Sequence, residues 1–159
     1  MNERQWWSSH VRPRLLSQDE PRTAIKVQNT SNPGLFDSIC CFDGVVCAIE
    51  TKFLQQWPAR PDTTVRGVEL SPEQERHLDE WDRAHGISLV LLGVYATKEW
   101  FLFQHHKYTL CLTQQHYRTY SVFNGQGWPS MSTIPGFCVE NFFGRWWEPS
   151  LGQLLGDEE

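Results

Sequence analysis

The chain has 159 residues, 40% of them hydrophobic and eight of them Trp, enough for one domain with a well-filled core. No run of 18 apolar residues occurs, which argues against a membrane-spanning helix. The net charge of -5 weighs against nucleic acid as a partner, but the charge is uneven.

Residues 1–66 carry eight Lys or Arg against seven Asp or Glu, and residues 67–159 carry six against twelve. If DNA binds, the first half should meet it, with Arg12, Arg14, Lys26, Arg60 and Arg66 as candidate contacts. The start of the chain lacks the basic-then-apolar pattern of a secretory leader, so a cytoplasmic location is expected. The five cysteines include no CxxC pair, which indicates neither a disulfide framework nor a zinc ribbon. Cys40, Cys41 and Cys47 read as small buried hydrophobes.

Residues 2–12 suit a short helix ended near Pro13. Residues 23–29 alternate like a strand, and residues 30–34 are turn-rich. Residues 38–42 are apolar, Asp43-Gly44 is a hairpin turn signal, and residues 45–52 read as the return strand. Residues 57–69 read as an irregular loop. Residues 72–85 carry the clearest helix signal: Ser71 as N-cap, Pro72 at the first position, Gln74 completing a capping box, and Leu78, Trp81 and Ala84 as an apolar stripe. Gly86 ends that helix. Residues 87–95 are a continuous apolar run, as in a strand buried on both faces, and residues 99–103 suit a further strand. The order implies an α/β domain with a central mixed sheet flanked by helices, the helix over 72–85 crossing between parallel strands. Residues 1–103 form the expected core. Residues 104–159 are expected to be an aromatic-rich C-terminal extension packed on it.

A hairpin centred on Asp43-Gly44 sets opposite each other residues whose numbers sum to about 87, which would pair Asp37 with Glu50. Period-two geometry puts Glu50 and Lys52 on one face. Two carboxylates and an amine are thus expected at one end of the sheet. Such a set suits phosphodiester hydrolysis: oxygen ligands for a hard cation, and an amine to orient water or offset charge on the phosphate. The plainer alternative is a solvated edge strand beside a turn aspartate.

These stretches resemble the PD-(D/E)XK nuclease superfamily. The matching residues are Gly34-Leu35-Phe36-Asp37, Ala48-Ile49-Glu50-Thr51-Lys52, Leu70-Ser71-Pro72-Glu73-Gln74 and Ala84-His85-Gly86-Ile87. The likeness is greatest to the VRR-NUC branch with its small stand-alone phage nucleases, and more distant to RecU-type Holliday junction resolvases. Phe36 stands where the family has proline. The resemblance covers residues 23–103 and implies a restriction-endonuclease-like core. It implies a DNA endonuclease dependent on Mg2+ or Mn2+, working in a bacterial or phage-infected cytosol. Cleavage of branched DNA by a homodimer also belongs to what it implies. Carried over, Asp37 and Glu50 would ligate metal with the Thr51 main-chain carbonyl, Lys52 would be the catalytic lysine, and Gln74 the active-site glutamine. Glu3 is the candidate for the acidic metal contact that many relatives carry on the first helix.

His105, His106, Cys111 and His116 match no trusted zinc spacing and read as exposed or packed strand residues. The aromatic and basic residues of 105–120 could stack on bases, although a sheet face is the stronger expectation. Trp6-Trp7 and Trp146-Trp147 suit core or dimer contacts. Two competing readings remain: a non-catalytic DNA- or protein-binding module on a nuclease-like fold, and a purely structural component.

Overall fold

The computed structural model describes residues 1–15, 22–26, 38–42, 44–84, 86–130 and 133–142, with the main chain alone at 22–26 and Phe142. Asp37, Asp43, His85, the turn-rich residues 30–34, residues 27–29, the Trp146-Trp147 pair and the acidic C-terminus lie outside these residues.

The described residues form an α/β fold around one mixed six-stranded sheet in the order β1-β2-β3-β4-β5-β6. The strands are β1 (Arg22–Lys26), β2 (Ser38–Phe42), β3 (Val45–Leu54), β4 (Ile87–Val94), β5 (Glu99–Gln104) and β6 (Phe123–Gln126). Neighbours run antiparallel except β3 and β4, which are parallel. That pair requires a crossover, supplied by α3 (Pro72–Arg83). In β2–β3, Ser38 pairs with Ile49 and Phe42 with Val45, the register expected from the turn. Gly44 sits in that turn at φ 82°, a conformation that favours glycine.

Each face of the sheet has its own apolar layer. On one, Trp6, Trp7, Val11 and Leu15 pack with Cys40, Cys47, Ile49, Leu89 and Leu91. On the other, Leu78 of α3 packs with Ala48, Val90, Leu92, Phe101 and Phe103. All eight residues of β4 are buried, which explains its unbroken apolar sequence. Cys40 and Cys47 are buried, whereas Cys41 is half-buried. Burial, with the Cys47 thiol next, pushes the Cys40 thiol well above its usual range, as expected of an inert packing residue.

The N-terminal segment departs from expectation. It runs as α1 (Glu3–Trp6), a π-helical turn (Trp7–Val11) and α2 (Arg12–Leu15), so helix continues past Pro13 rather than ending there. Proline has no N–H to donate, and its ring crowds the carbonyl four residues back. The wider turn just before it is one way a helix accommodates that crowding. Trp6 is fully buried, and its ring lies against Gly93 of β4, where any Cβ would come within 2.4 Å of Cζ2.

Residues 105–120 are a second correction, since they form α4 (His105–Tyr108) and α5 (Gln114–Tyr120), not a sheet face. Tyr108 and Tyr117 are buried against Phe103, so helical spacing serves the aromatic pattern as well as alternation would. β6 extends the sheet at β5, and α6 (Thr133–Phe142) packs beside the N-terminal segment.

Glu99, at the start of β5, ties three elements together. Its carboxylate accepts from Trp57 Nε1 at 3.0 Å, from Thr97 Oγ1 at 2.7 Å, and from Arg118 of α5 at 2.5 and 3.0 Å. Burial raises the Glu99 pKa, but the hydrogen bonds from Arg118, Trp57 and Thr97 outweigh it and hold the group below its ordinary 4.5.

Two outcomes follow. Trp6→Ala should cost about 3–5 kcal/mol in urea unfolding, with the denaturant slope unchanged. Glu99→Gln should cost about 1–3 kcal/mol at neutral pH. The depressed pKa means that this stabilisation is complete above the unfolded-state value and is lost as pH falls through the lower folded one. The gap between Glu99→Gln and the parent should therefore close below pH 4.5, read by thermal unfolding across acid pH.

Candidate active site

The site is built where β3 passes under the first turn of α3. Alternation along β3 puts Glu50 and Lys52 on the same face as Ala48, the face that α3 covers. Glu50 is 2% exposed and the Lys52 side chain 14%. Lys52 Nζ stands 3.7 Å from Glu50 Oε1. A carboxylate this buried is costly unless charge and hydrogen bonds compensate it.

Gln74 supplies much of the compensation. Its Nε2 donates to Glu50 Oε1 at 2.8 Å, and its Oε1 accepts from Lys52 Nζ at 3.1 Å. The same Oε1 also accepts from the Ser71 N–H at 2.9 Å, while Ser71 Oγ accepts from the Gln74 N–H at 3.1 Å. The capping box and the contact with the acid–base pair are therefore made by one residue. Helix start and strand end fix each other: the cap holds the carboxamide, and the carboxamide spans acid and amine.

Oxygen donors of the kind a hard cation takes stand at this point of β3. Ser38 Oγ donates to the Ile49 carbonyl at 3.3 Å, so that carbonyl faces β2. Carbonyls along a strand alternate sides, so the Thr51 carbonyl faces the same way. In donor type, the Glu50 carboxylate and the Thr51 carbonyl fit magnesium or manganese. Asp37 lies outside the described residues, so its part in such a set is not defined by these contacts. Among the described residues, no three His, Cys, Asp or Glu side chains converge into a metal cluster.

The other candidates are scattered. Glu3 is in the first turn of α1, in the layer on the opposite face of the sheet from α3. Arg12 and Arg14 are on α2, and Arg14 Nη1 donates to the His10 carbonyl at 2.8 Å. Lys26 ends β1, its side chain undescribed. Arg60 and Arg66 are exposed in the loop that leads from β3 into α3. The histidines serve local structure: His105 Nδ1 lies 2.5 Å from Ser88 Oγ, and His116 Nδ1 accepts from the Leu112 N–H at 3.1 Å. A cleft of 460 Å³ opens between α3 and α4, lined by residues such as Glu75, Arg76, Asp79 and His106, and does not include Glu50, Lys52 or Gln74. The Glu99–Arg118 pair escaped sequence reading. Its one signal was a carboxylate opening an apolar strand.

No protein-family model matches the chain, and no curated protein matches it in sequence. No described helix is long and apolar enough to cross a membrane. Among solved structures, the chain is similar to Hjc, a Holliday junction resolvase from the archaeal hyperthermophile Archaeoglobus fulgidus. The two share 18% identity with a TM-score of 0.49, over 76% of this chain and 91% of that one. A likeness at this level assigns neither family nor activity.

Proposed function

We propose that the protein is a divalent-metal-dependent DNA endonuclease whose site is Asp37, Glu50, Lys52 and Gln74. One observation supports this above others: a buried carboxylate and an amine, two residues apart on one strand, are joined through a carboxamide at the foot of a helix. A solvated edge strand would leave Glu50 in water, whereas it is buried. Chain connectivity supports a place for Asp37, since it directly precedes Ser38, whose partner Ile49 directly precedes Glu50.

In this reading Glu50, Asp37 and the Thr51 carbonyl hold the cation. When bound, that cation polarises the scissile phosphate and lowers the pKa of a water. Lys52 Nζ, held by Gln74 on one side and Glu50 on the other, is poised to orient the attacking water or to offset charge on the phosphate. Gln74 holds both Glu50 and Lys52 by hydrogen bonds alongside their ion pair. Exposed Arg60 and Arg66, with Arg12, Arg14 and Lys26, would meet the DNA backbone. Branched DNA is the substrate form that the sequence resemblance suggests, and paired cuts in a junction would require two copies of the site, hence a homodimer. Residues 1–103 would supply the nuclease core, with the rest as an extension packed on it. The second reading, a non-catalytic binding module, draws on the net charge of -5.

Linear, supercoiled, single-stranded and four-way-junction DNA should be incubated with manganese and the protein. Cleavage is expected, lowered at least about 100-fold by Lys52→Ala. Equal cleavage by both proteins would mean that the site is wrong. The midpoint of thermal unfolding should rise with magnesium or manganese, and Asp37→Ala should abolish that rise. Binding of DNA without cleavage, and without a metal-dependent rise, would favour the non-catalytic module. Gln74→Ala should cost about 1 kcal/mol of stability from the lost cap and also lower the cleavage rate.

A further inference from the structure

The loop from Gln55 to Ser71 delivers the chain from β3 to the first turn of α3, so its path decides where Gln74 falls. A long loop carrying Pro58, Pro61 and Gly67 has many paths open to it. This one is tied down by the chain that follows β5. Thr64 pairs with Thr113 in an isolated antiparallel bridge, and the Val65 N–H donates to the Leu112 carbonyl at 2.7 Å. Further along, Tyr108 Oη donates to the Val68 carbonyl. Val65 and Val68 are buried in one layer with Tyr108, Cys111 and Tyr117.

These ties lead back to the sheet. α4 opens with His105, whose Nδ1 lies 2.5 Å from Ser88 Oγ of β4. It closes with Tyr108, whose ring meets Phe103 of β5 edge-on, with centroids 5.1 Å apart. Tyr108 is buried, and its hydroxyl supplies the donor that a carbonyl in a buried residue such as Val68 needs. Burial, with neighbouring Tyr117 next, raises the Tyr108 phenol well above its ordinary 10.0. The group therefore stays protonated, and a donor, through the neutral range.

Only Glu69 and Leu70 stand between Val68 and Ser71. The Ser71 N–H donates to Gln74 Oε1 at 2.9 Å, the same atom that accepts from Lys52 Nζ at 3.1 Å. A shift of the Val68 carbonyl is thus passed to the cap, and from the cap to the amide that holds Lys52 and Glu50. Misplacing a reacting group by about 1 Å can cost as much as about 100-fold in rate. The Tyr108 ring alone would fill the core. Its hydroxyl adds a fixed point just ahead of the helix cap. We propose that Tyr108 is a positioning residue for the candidate site: its hydroxyl fixes the Val68 carbonyl and thereby seats Ser71 and the Gln74 carboxamide against Glu50 and Lys52. The segment after β5, outside the expected nuclease core, then serves that core as a brace. This rests on the nuclease reading given above.

Tyr108→Phe keeps the ring and removes the donor. Its kcat for DNA cleavage with manganese should fall about 5-fold or more, while its KM for DNA stays within about 2-fold of the parent's. Amide hydrogen exchange at Ser71 and Gln74 should quicken about 5-fold or more, with exchange along β4 unchanged. In a Gln74→Ala background, Tyr108→Phe should have no further effect on the rate, because the residue it acts through is already gone. Leu15→Ala, in the opposite layer, loses stability without touching this path. At a temperature where all the variants are folded, it should cleave as the parent does. Unchanged kcat or unchanged exchange in Tyr108→Phe would overturn the proposal. So would rate losses that multiply in the double variant, or an equal loss in Leu15→Ala. If the parent cleaves DNA and Lys52→Ala does not, while Tyr108→Phe cleaves as the parent, the positioning role alone is wrong. If the parent cuts no DNA, the nuclease reading falls and the positioning role falls with it.

Discussion

A single carboxamide, that of Gln74, settles how a buried acid and an amine coexist on β3. Glu50 and Lys52 stand as an ion pair at 3.7 Å, and the carboxamide bonds both of them. The amide gives each charged group a neutral hydrogen-bond partner beside its charged one. Only one orientation of the amide does this, with nitrogen toward the carboxylate and oxygen toward the ammonium. The oxygen has two acceptor directions, and the Ser71 N–H uses the other. The helix cap and the bridged pair are therefore coupled, and fraying of the first turn of α3 would take the Gln74 partner from both Glu50 and Lys52.

The rest of the fold holds that junction in register. The crossover delivers α3 onto the face of β3 that bears Glu50, because Leu78 buries against Ala48, Val90 and Leu92. The segment between β3 and α3 is restrained at its start by Trp57 on Glu99 and near its end by Tyr108 Oη donating to the Val68 carbonyl. Ser71 is therefore approached by a chain with little freedom to shift. On the far face, Trp6 against Gly93 clamps the N-terminal segment to β4. The sheet between the two layers is the rigid element to which both halves of the site refer.

The sequence made strands and the crossover legible wherever periodicity and punctuation agreed. The turn at Gly44 predicted the pairing of Ser38 with Ile49, and the Ser-Pro-x-Gln signal located the start of α3 to the residue, while its end at Arg83 falls two residues short of the expected 85. The contact of Gln74 with Glu50 needed tertiary placement, since twenty-four residues separate them, and spacing alone left the cap and the active-site role as rivals. Two readings failed for identifiable reasons. Pro13 signals a terminator, because proline in mid-helix is costly, but the widened turn before it lets the helix continue to Leu15. Residues 105–120 read as a sheet face because aromatic residues favour strands, yet Tyr108 and Tyr117 reach the same core from two short helices. The charge asymmetry assigned no particular arginine, as exposed cations carry no positional signal.

The π-helical turn near the N-terminus bears on how that segment lies along the sheet. In an ordinary helix, residues four apart drift by about 40° around the axis, so a ridge built on that spacing winds away from a flat support. A wider turn uses more residues per revolution, and a step of four within it drifts the opposite way. Trp7, Val11 and Leu15, all buried and spaced by four, span one step of each kind. The two drifts offset, and the three side chains align as a straight keel along the segment, which a uniform helix of the same sequence would have twisted toward solvent.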